Sequence, residues 1–413
     1  MTTTAAAMDS AAGKRFNPDW VLFLVTLVLL CLGIVMVYDA SYPLATAVKY
    51  TGGDPMYFLK RQAVFGAAGL LGMFVMMRVP YWKLARFANW GLVVTILLLV
   101  AVHFVGRGAQ GAERWIGYGP IHIQPSEFAK LTLLFYLARV IAARPHLPRH
   151  IFGEGCVPLL VIPLTVVILV ERQPDLGTAV TVLLTAMTVL FAGGVKKRIL
   201  ALLLAICFVG ALGMVLREGT DAYRWKRVMT FVNPEMDPQR SGYQIKHSLL
   251  ALGTGGMTGV GFGESREKQF GNLPAQRTDF IFAIVGEEFG LAGTCGVLFL
   301  FALLALRGFH IAARCKDPFG SLLATGITGM ISVQALVNIA VVTSSVPATG
   351  VPLPFLSYGG SSLVLTLLSV GVLLNVSQHP FSREAGRALK PSRRRSAAAS
   401  SEPAYTRGED AWN

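Results

Sequence analysis

"NLPAQRTDFIFAIVGEEFG", residues 272–290, sets one carboxylate, Asp279, at the lip of an apolar run and two more, Glu287 and Glu288, inside it. An ionisable side chain at membrane depth costs roughly 2.5–3.5 kcal/mol on insertion scales, so such groups are functional candidates by default. What each of the three does depends on where the membrane lies, and the rest of the chain supplies that answer.

The chain has 413 residues, 53% hydrophobic and 15% charged, with a mean hydropathy of +0.55. That composition excludes an ordinary soluble enzyme and a disordered chain. Apolar stretches near or above the roughly 20 residues needed to cross a bilayer recur along most of the sequence, which points to helices rather than a β-barrel. The expected fold class is all-α: a polytopic membrane protein with ten transmembrane helices, near 19–40, 62–78, 87–106, 126–143, 156–171, 177–195, 199–217, 280–306, 320–343 and 360–378. The first of these follows Lys14 and Arg15 and is read as an uncleaved helix rather than a signal peptide, because it is long and leads into further spans.

Charge orients the bundle. With the N-terminus inside, the inner segments hold twenty Lys and Arg, against six in the short outer loops (Lys49, Lys60, Arg61, Arg107, Arg114 and Arg172). The positive-inside rule then makes both termini cytoplasmic. The organisation expected is a cytoplasmic segment 1–18, a transmembrane domain 19–378 with a large outer loop 217–279 between the seventh and eighth helices, and a disordered basic tail 379–413. The net charge of +14 lies mostly in short loops and the tail, where topology and anionic lipid account for it, so nucleic acid is not expected as a partner. The five cysteines are far apart, with no metal-ligand spacing. No internal repeat is evident, which weakens an inverted-repeat transporter.

Polar residues crowd towards the outer side. In "GAERWIGYGPIHIQPSEFAK" (111–130), Pro125 suits a helix N-terminus, and Glu127 and Lys130 fall three apart on one helical face, close enough to form a buried pair. Trp115 reads as an interfacial anchor and Arg114 as a solvated loop charge, or both as ligand contacts. Asp175, in "ERQPDLGTA" (171–179), reads as a helix cap that props the site. "PLPFLSYGGSS" (352–362) must interrupt helix, as a plain turn or as re-entrant backbone whose N–H groups meet phosphate. "GTGGMTGVGFG" (253–263) has neither the βαβ context nor the Lys of a nucleotide loop, and its glycines are expected to close a loop over something bound. Asp279 itself falls at the outer boundary, where partial desolvation raises a carboxyl towards the range of a useful base and Arg277 opposes that shift. Glu287 and Glu288 lie deeper, placed for one of them to pair with a basic residue.

Together, "ERWIGYGPIHIQPSEFAKL", "QPDLGTA", "RWKRVMTFVNPEMDPQRSGYQ", "LPAQRTDFIFAIVGEEFG" and "GVPLPFLSYGGSS" closely resemble the FtsW/RodA family of bacterial cell-wall proteins, also called SEDS proteins. The resemblance runs from the first span to the tenth. It implies a peptidoglycan glycosyltransferase that joins lipid II units into glycan strands at the outer face of the inner membrane. The partners implied are lipid II, membrane lipids, a class B penicillin-binding transpeptidase and other divisome proteins. It makes Asp279 the essential, catalytic residue, and the candidates for binding substrate are Arg61, Arg114, Trp115, Lys130, Gln244 and Ser357. Glu127, Asp175, Glu287 and Glu288 are supporting residues. No cofactor is required by the motifs, and a divalent cation such as Mg²⁺ at the diphosphate is left open. The chain departs from the family's "LPE.HTDF" in having Ala275 and Arg277 for Glu and His. "GFGESREKQFGNLP" (261–274) resembles the division branch, FtsW, more than the elongation branch, RodA. A lipid II flippase and a non-catalytic transpeptidase scaffold are the rival classes.

Overall fold

The computed structural model describes residues 16–46, 51–105, 107–109, 112–118, 121–173, 175–217, 229–231, 241–269, 273 and 275–379. The N-terminal segment to residue 15, most of 218–240 and the basic tail from 380 lie outside the described residues, so the expectations about them rest on sequence alone.

Each expected span falls on a helix: α1 (Trp20–Thr46), α2 (Tyr57–Arg78), α3 (Tyr81–Val105), α4 (Pro125–Ala143), α5 (Ile162–Glu171), α6 (Leu176–Ala192), α7 (Lys197–Arg217), α10 (Ile281–Arg314), α11 (Pro318–Val342) and α12 (Gly360–Gln378). Between α7 and α10 lie α8 (Ser241–Gly255) and the single turn α9 (Arg266–Gln269). Among the described residues, six of these helices are long and apolar enough to cross a membrane: α1, α2, α3, α10, α11 and α12. Local chemistry sets several starts. Asp317 caps α11 by accepting from Gly320 N at 2.7 Å, with Pro318 at the first helical position. Asp19 caps α1 by accepting from Leu22 N at 3.0 Å.

The fold is not purely helical. Residues expected to be outer loop form three short antiparallel strands, β1 (Arg107–Ala109), β2 (Ala112–Tyr118) and β3 (Ile121–Ile123), in the order β1-β2-β3. Strand pairing there joins the peptide groups of a segment whose glycines and Pro120 disfavour helix.

In the bundle, α2 lies along α12, α10 along α11, and α4 along both α6 and α11. Large apolar side chains face outward, including Phe87, Trp90, Leu97 and Phe104 of α3 and Phe208 and Val209 of α7. Each would forgo about 1.5–3 kcal/mol if left in water, so the belt they form suits lipid. At one end of the bundle Arg307 of α10 forms an ion pair with Asp19 at 2.5 Å, and Asp19 N donates to Ser377 Oγ of α12. The Asp279 end lies opposite, towards the far ends of α1 and α11.

There α10 is broken. Gly290 has φ 63° and ψ −157°, outside the helical region, and a break in a membrane-spanning helix strands peptide groups that lipid cannot satisfy. The glycine-rich loop after α8 supplies the partners. Val260 N and Gly261 N donate to Glu287 O and Glu288 O at 3.0 and 3.1 Å, while Leu291 N and Ala292 N donate to Gly256 O and Met257 O at 2.9 and 3.2 Å. What the glycines close over is thus the chain's own helix, and a Cβ on Gly259 would collide with Glu288 O. Gly263 offers a control, since it too has positive φ but a Cβ there would meet nothing within 4 Å.

Both alanine substitutions bring left-handed strain of about 1–2 kcal/mol. Gly259→Ala should add an overpacking loss of roughly 1–3 kcal/mol and lower the thermal midpoint in detergent well beyond Gly263→Ala. Equal losses would contradict the packed loop.

Candidate functional site

Asp279 closes a turn that begins at Ala275, a residue with φ 58°. Thr278 N and Phe280 N both donate to Ala275 O, at 3.0 and 3.3 Å. Four consecutive residues of this turn are then pinned from outside. Gln276 Nε2 donates to Ala40 O of α1 at 2.7 Å. Arg277 O accepts from Tyr358 N at 2.8 Å, and Thr278 O accepts from Ser357 Oγ at 2.5 Å. Asp279 O accepts from Asn338 Nδ2 of α11 at 2.8 Å, and the same amide donates to Val351 O at 2.7 Å. The Asp279 carboxylate is half-buried, and a Cβ on Gly350 would stand 3.6 Å from its Oδ2.

Residues 343–359 form a strap that folds back from the end of α11 into the bundle. Its Phe355 O meets Gly33, midway along α1, where any side chain would collide. The backbone is therefore re-entrant, one of the two readings open from the sequence, and four of its N–H groups are met within the chain. Leu353 N donates to Ser357 Oγ, Ser357 N to Leu353 O, Leu356 N to Pro354 O and Tyr358 N to Arg277 O. Ser357, expected to bind substrate, is buried with its hydroxyl committed between Leu353 N and Thr278 O. It clamps the strap to the Asp279 turn.

The strap rests on a polar layer. Lys130 Nζ lies 2.8 Å from both Glu127 Oε1 and Gln334 Oε1, and Gln334 Nε2 reaches Pro352 O at 3.0 Å. With exposures of 3% and 6%, Lys130 and Glu127 lie buried under the strap. Asp175 caps α6 by accepting from Thr178 N and also takes a bond from Gln124 Nε2 at 3.0 Å. These residues come from α4, α6 and α11 to hold one surface.

Glu287 and Glu288 serve the loop. Glu287 accepts from Ser265 Oγ at 2.5 Å and Arg266 N at 2.9 Å, fixing the start of α9. Glu288 and Asp39 of α1 both pair with Lys268 at 2.5 Å, all three buried. The basic residue expected beside the glutamates is therefore Lys268.

The Asp279 turn also carries a cation against aromatic rings. Arg61 Nη1 donates to Tyr57 Oη at 3.1 Å, and the Arg277 guanidinium lies 4.4 Å from the Phe58 ring centroid and 5.9 Å from that of Tyr358. Burial raises the Tyr358 hydroxyl pKa above its ordinary value, and the two guanidiniums oppose the rise. Trp115 is half-buried and pairs with Arg107 across β1 and β2, whereas the side chain of Arg114 lies outside the described residues. Gln244 is half-buried in the first turn of α8, a helix tied to α11 by Ser248 Oγ donating to Val342 O.

Sequence reasoning missed Asn338, Gln334 and Lys268, and gave Arg277 no role beyond opposing a shift at Asp279. Gln334 and Asn338 left a readable sign, two amides one turn apart in a predominantly apolar helix.

The chain belongs to the family described as "Cell cycle protein", the FtsW/RodA/SpoVE family, whose model matches residues 19–381. It is 42% identical over 370 residues to the stage V sporulation protein E of Bacillus subtilis, covering 89% of this chain and 98% of that one. It is 40% identical to the probable peptidoglycan glycosyltransferase FtsW of Geobacter metallireducens, covering 87% and 94%. Among solved structures, the rod shape determining protein RodA of Thermus thermophilus matches with a TM-score of 0.64 at 31% identity, over 87% of this chain and 96% of that one. A chain of a peptidoglycan synthase complex matches with a TM-score of 0.69 at 30% identity, over 88% and 98%. The protein is a multi-pass helical membrane protein of this family.

The polar layer makes a prediction. Glu127→Ala and Lys130→Ala should each cost about 3–5 kcal/mol by stranding a buried charge. The double variant should lose less than the sum, as read by thermal midpoints in detergent. Strictly additive losses would contradict the pairing.

Proposed function

We propose that the protein is a peptidoglycan glycosyltransferase that polymerises lipid II at the outer face of the bacterial inner membrane, with Asp279 as general base. The observation that carries this reading is the Asp279 turn itself. Four successive residues are fixed by α1, α11 and the strap, so a half-buried carboxylate is held still beside a cationic, aromatic wall. The names of the relatives support the reaction, and the charge bias of the loops supports the orientation that turns this end outward.

The chemistry follows from the groups present. An acceptor sugar hydroxyl gives its proton to the Asp279 carboxylate as its oxygen attacks the anomeric carbon of a second lipid-linked chain. The new C–O bond forms while the bond from that carbon to the diphosphate breaks, and the diphosphate oxygen leaves with the electron pair. Arg61 and the neighbouring cations stabilise that developing charge. The donor set does not favour a metal held by protein alone, since among the described residues no three His, Cys, Asp or Glu side chains converge.

The relatives named FtsW support a role in septal wall synthesis, with divisome proteins as partners and the division site as location, and the peptidoglycan synthase complex supports a class B transpeptidase as partner. An elongation polymerase of the RodA type is the alternative within the family. A flippase would set its essential charges near the midplane and alternate between two access states, whereas the polar layer and rings here are gathered at one end of the bundle. A scaffold explains the helices but not the pinned carboxylate.

Purified protein with its transpeptidase partner and lipid II in liposomes should make glycan polymer insensitive to moenomycin. Lipid translocation without polymer, with the partner present, would favour the flippase.

A further inference from the structure

Arg277 is the least expected element of the site. It is half-buried, and burial pulls its guanidinium pKa below the ordinary value. Among the described residues it forms no ion pair and donates no side-chain hydrogen bond; its contacts are the Phe58 and Tyr358 rings. Ring contacts of this kind contribute about 0.5–2 kcal/mol, whereas a partly buried cation with no counter-charge among the described residues keeps part of its desolvation cost. The mismatch is one that a bound anion would remove.

The geometry also leaves the means to bind one. The guanidinium carbon lies over the Phe58 ring, and among the described residues no hydrogen bond takes up the guanidinium N–H groups, whose fork fits phosphate oxygens in pairs. Position is fixed as well, since Gln276 is tied to α1, Arg277 O to Tyr358 N and Thr278 O to Ser357. The same aromatic run carries a second cation. Tyr57 packs edge-on against Phe58 and Phe58 against Tyr358, while Arg61 lies over Tyr57 with its centroid distance at 5.7 Å. Two guanidiniums on one strip of rings match a ligand with two negative charges, which a sugar-bearing lipid diphosphate is.

We propose that Arg277 is a substrate-binding residue that grips the diphosphate of the polyprenyl-linked sugar, with the Phe58 and Tyr358 rings as its seat. This rests on the glycosyltransferase reading and adds a ligand contact that the family's motifs do not assign. The shared chemistry is a phosphate-bearing lipid, and a phospholipid headgroup is the competing source.

The test measures binding of undecaprenyl diphosphate to the purified full-length protein in nanodiscs, for wild type, Arg277→Gln and Arg277→Lys, with phosphatidylglycerol and undecaprenyl phosphate as competitors. Loss of charge-assisted hydrogen bonds should weaken diphosphate binding about 10–100-fold in Arg277→Gln. Arg277→Lys keeps the charge but not the fork, and should lose roughly fivefold or more. Phosphatidylglycerol should compete poorly and without dependence on residue 277. If Arg277→Gln fails to show a melting transition, the Lys variant decides. Wild-type affinity in either folded variant would overturn the proposal, as would equal, Arg277-dependent binding of phosphatidylglycerol. Wild-type protein that neither binds the diphosphate nor makes polymer would instead sink the glycosyltransferase reading.

Discussion

Both amide hydrogens of Asn338 go to main-chain oxygens that no helix supplies with a partner, Asp279 O and Val351 O. The rest of the site depends on that bond pair. The Asp279 turn and the strap are irregular backbone inside a bundle, and each buried carbonyl left unmet costs about 1–3 kcal/mol. One side chain from a regular helix meets two of them and fixes the distance between the segments they belong to. Gln334, one turn away, repeats the arrangement at Pro352 O, and Lys130 with Glu127 holds Gln334 in turn. The site is accurate because one regular helix carries donors to both irregular segments.

The two glutamates within the apolar run solve a second problem of the same kind. The break at Gly290 frees peptide groups, the glycine-rich loop answers them, and Glu287 and Glu288 anchor the far side of that loop at Ser265 and Lys268. Asp39 carries the anchor across to α1. A buried lysine between two carboxylates is a poor source of stability compared with apolar packing. It does fix which helix meets which loop, and α1 also receives Gln276 of the Asp279 turn.

The helices were legible because a span must be long and apolar, and two of their starts because Pro125 and Asp175 stand where helix starts need them. The Glu127–Lys130 pair and the Asp175 cap were legible from spacing and position. Long-range partners were not. Nothing near Arg277 in the chain announces Phe58, and nothing near Glu288 announces Asp39. The strands of 107–123 were hidden in a segment whose glycines and charges resemble loop. Ser357 reads as a ligand contact from its motif, but a hydroxyl beside a free peptide N–H and a free carbonyl satisfies those first.

Because Asn338 holds the carbonyl of Asp279 and not its carboxylate, substitution of that side chain leaves the clamp in place. The most direct measurement is therefore glycan yield from lipid II by Asp279→Asn and Asp279→Glu, each co-purified with the transpeptidase. Asparagine keeps the shape but takes no proton at neutral pH, so polymer should vanish while the thermal midpoint and partner binding stay at wild-type values. Glutamate keeps the charge one methylene out of place and should retain only a small fraction of the rate. An Asp279→Asn protein with near wild-type yield would contradict the assignment of Asp279 as the base.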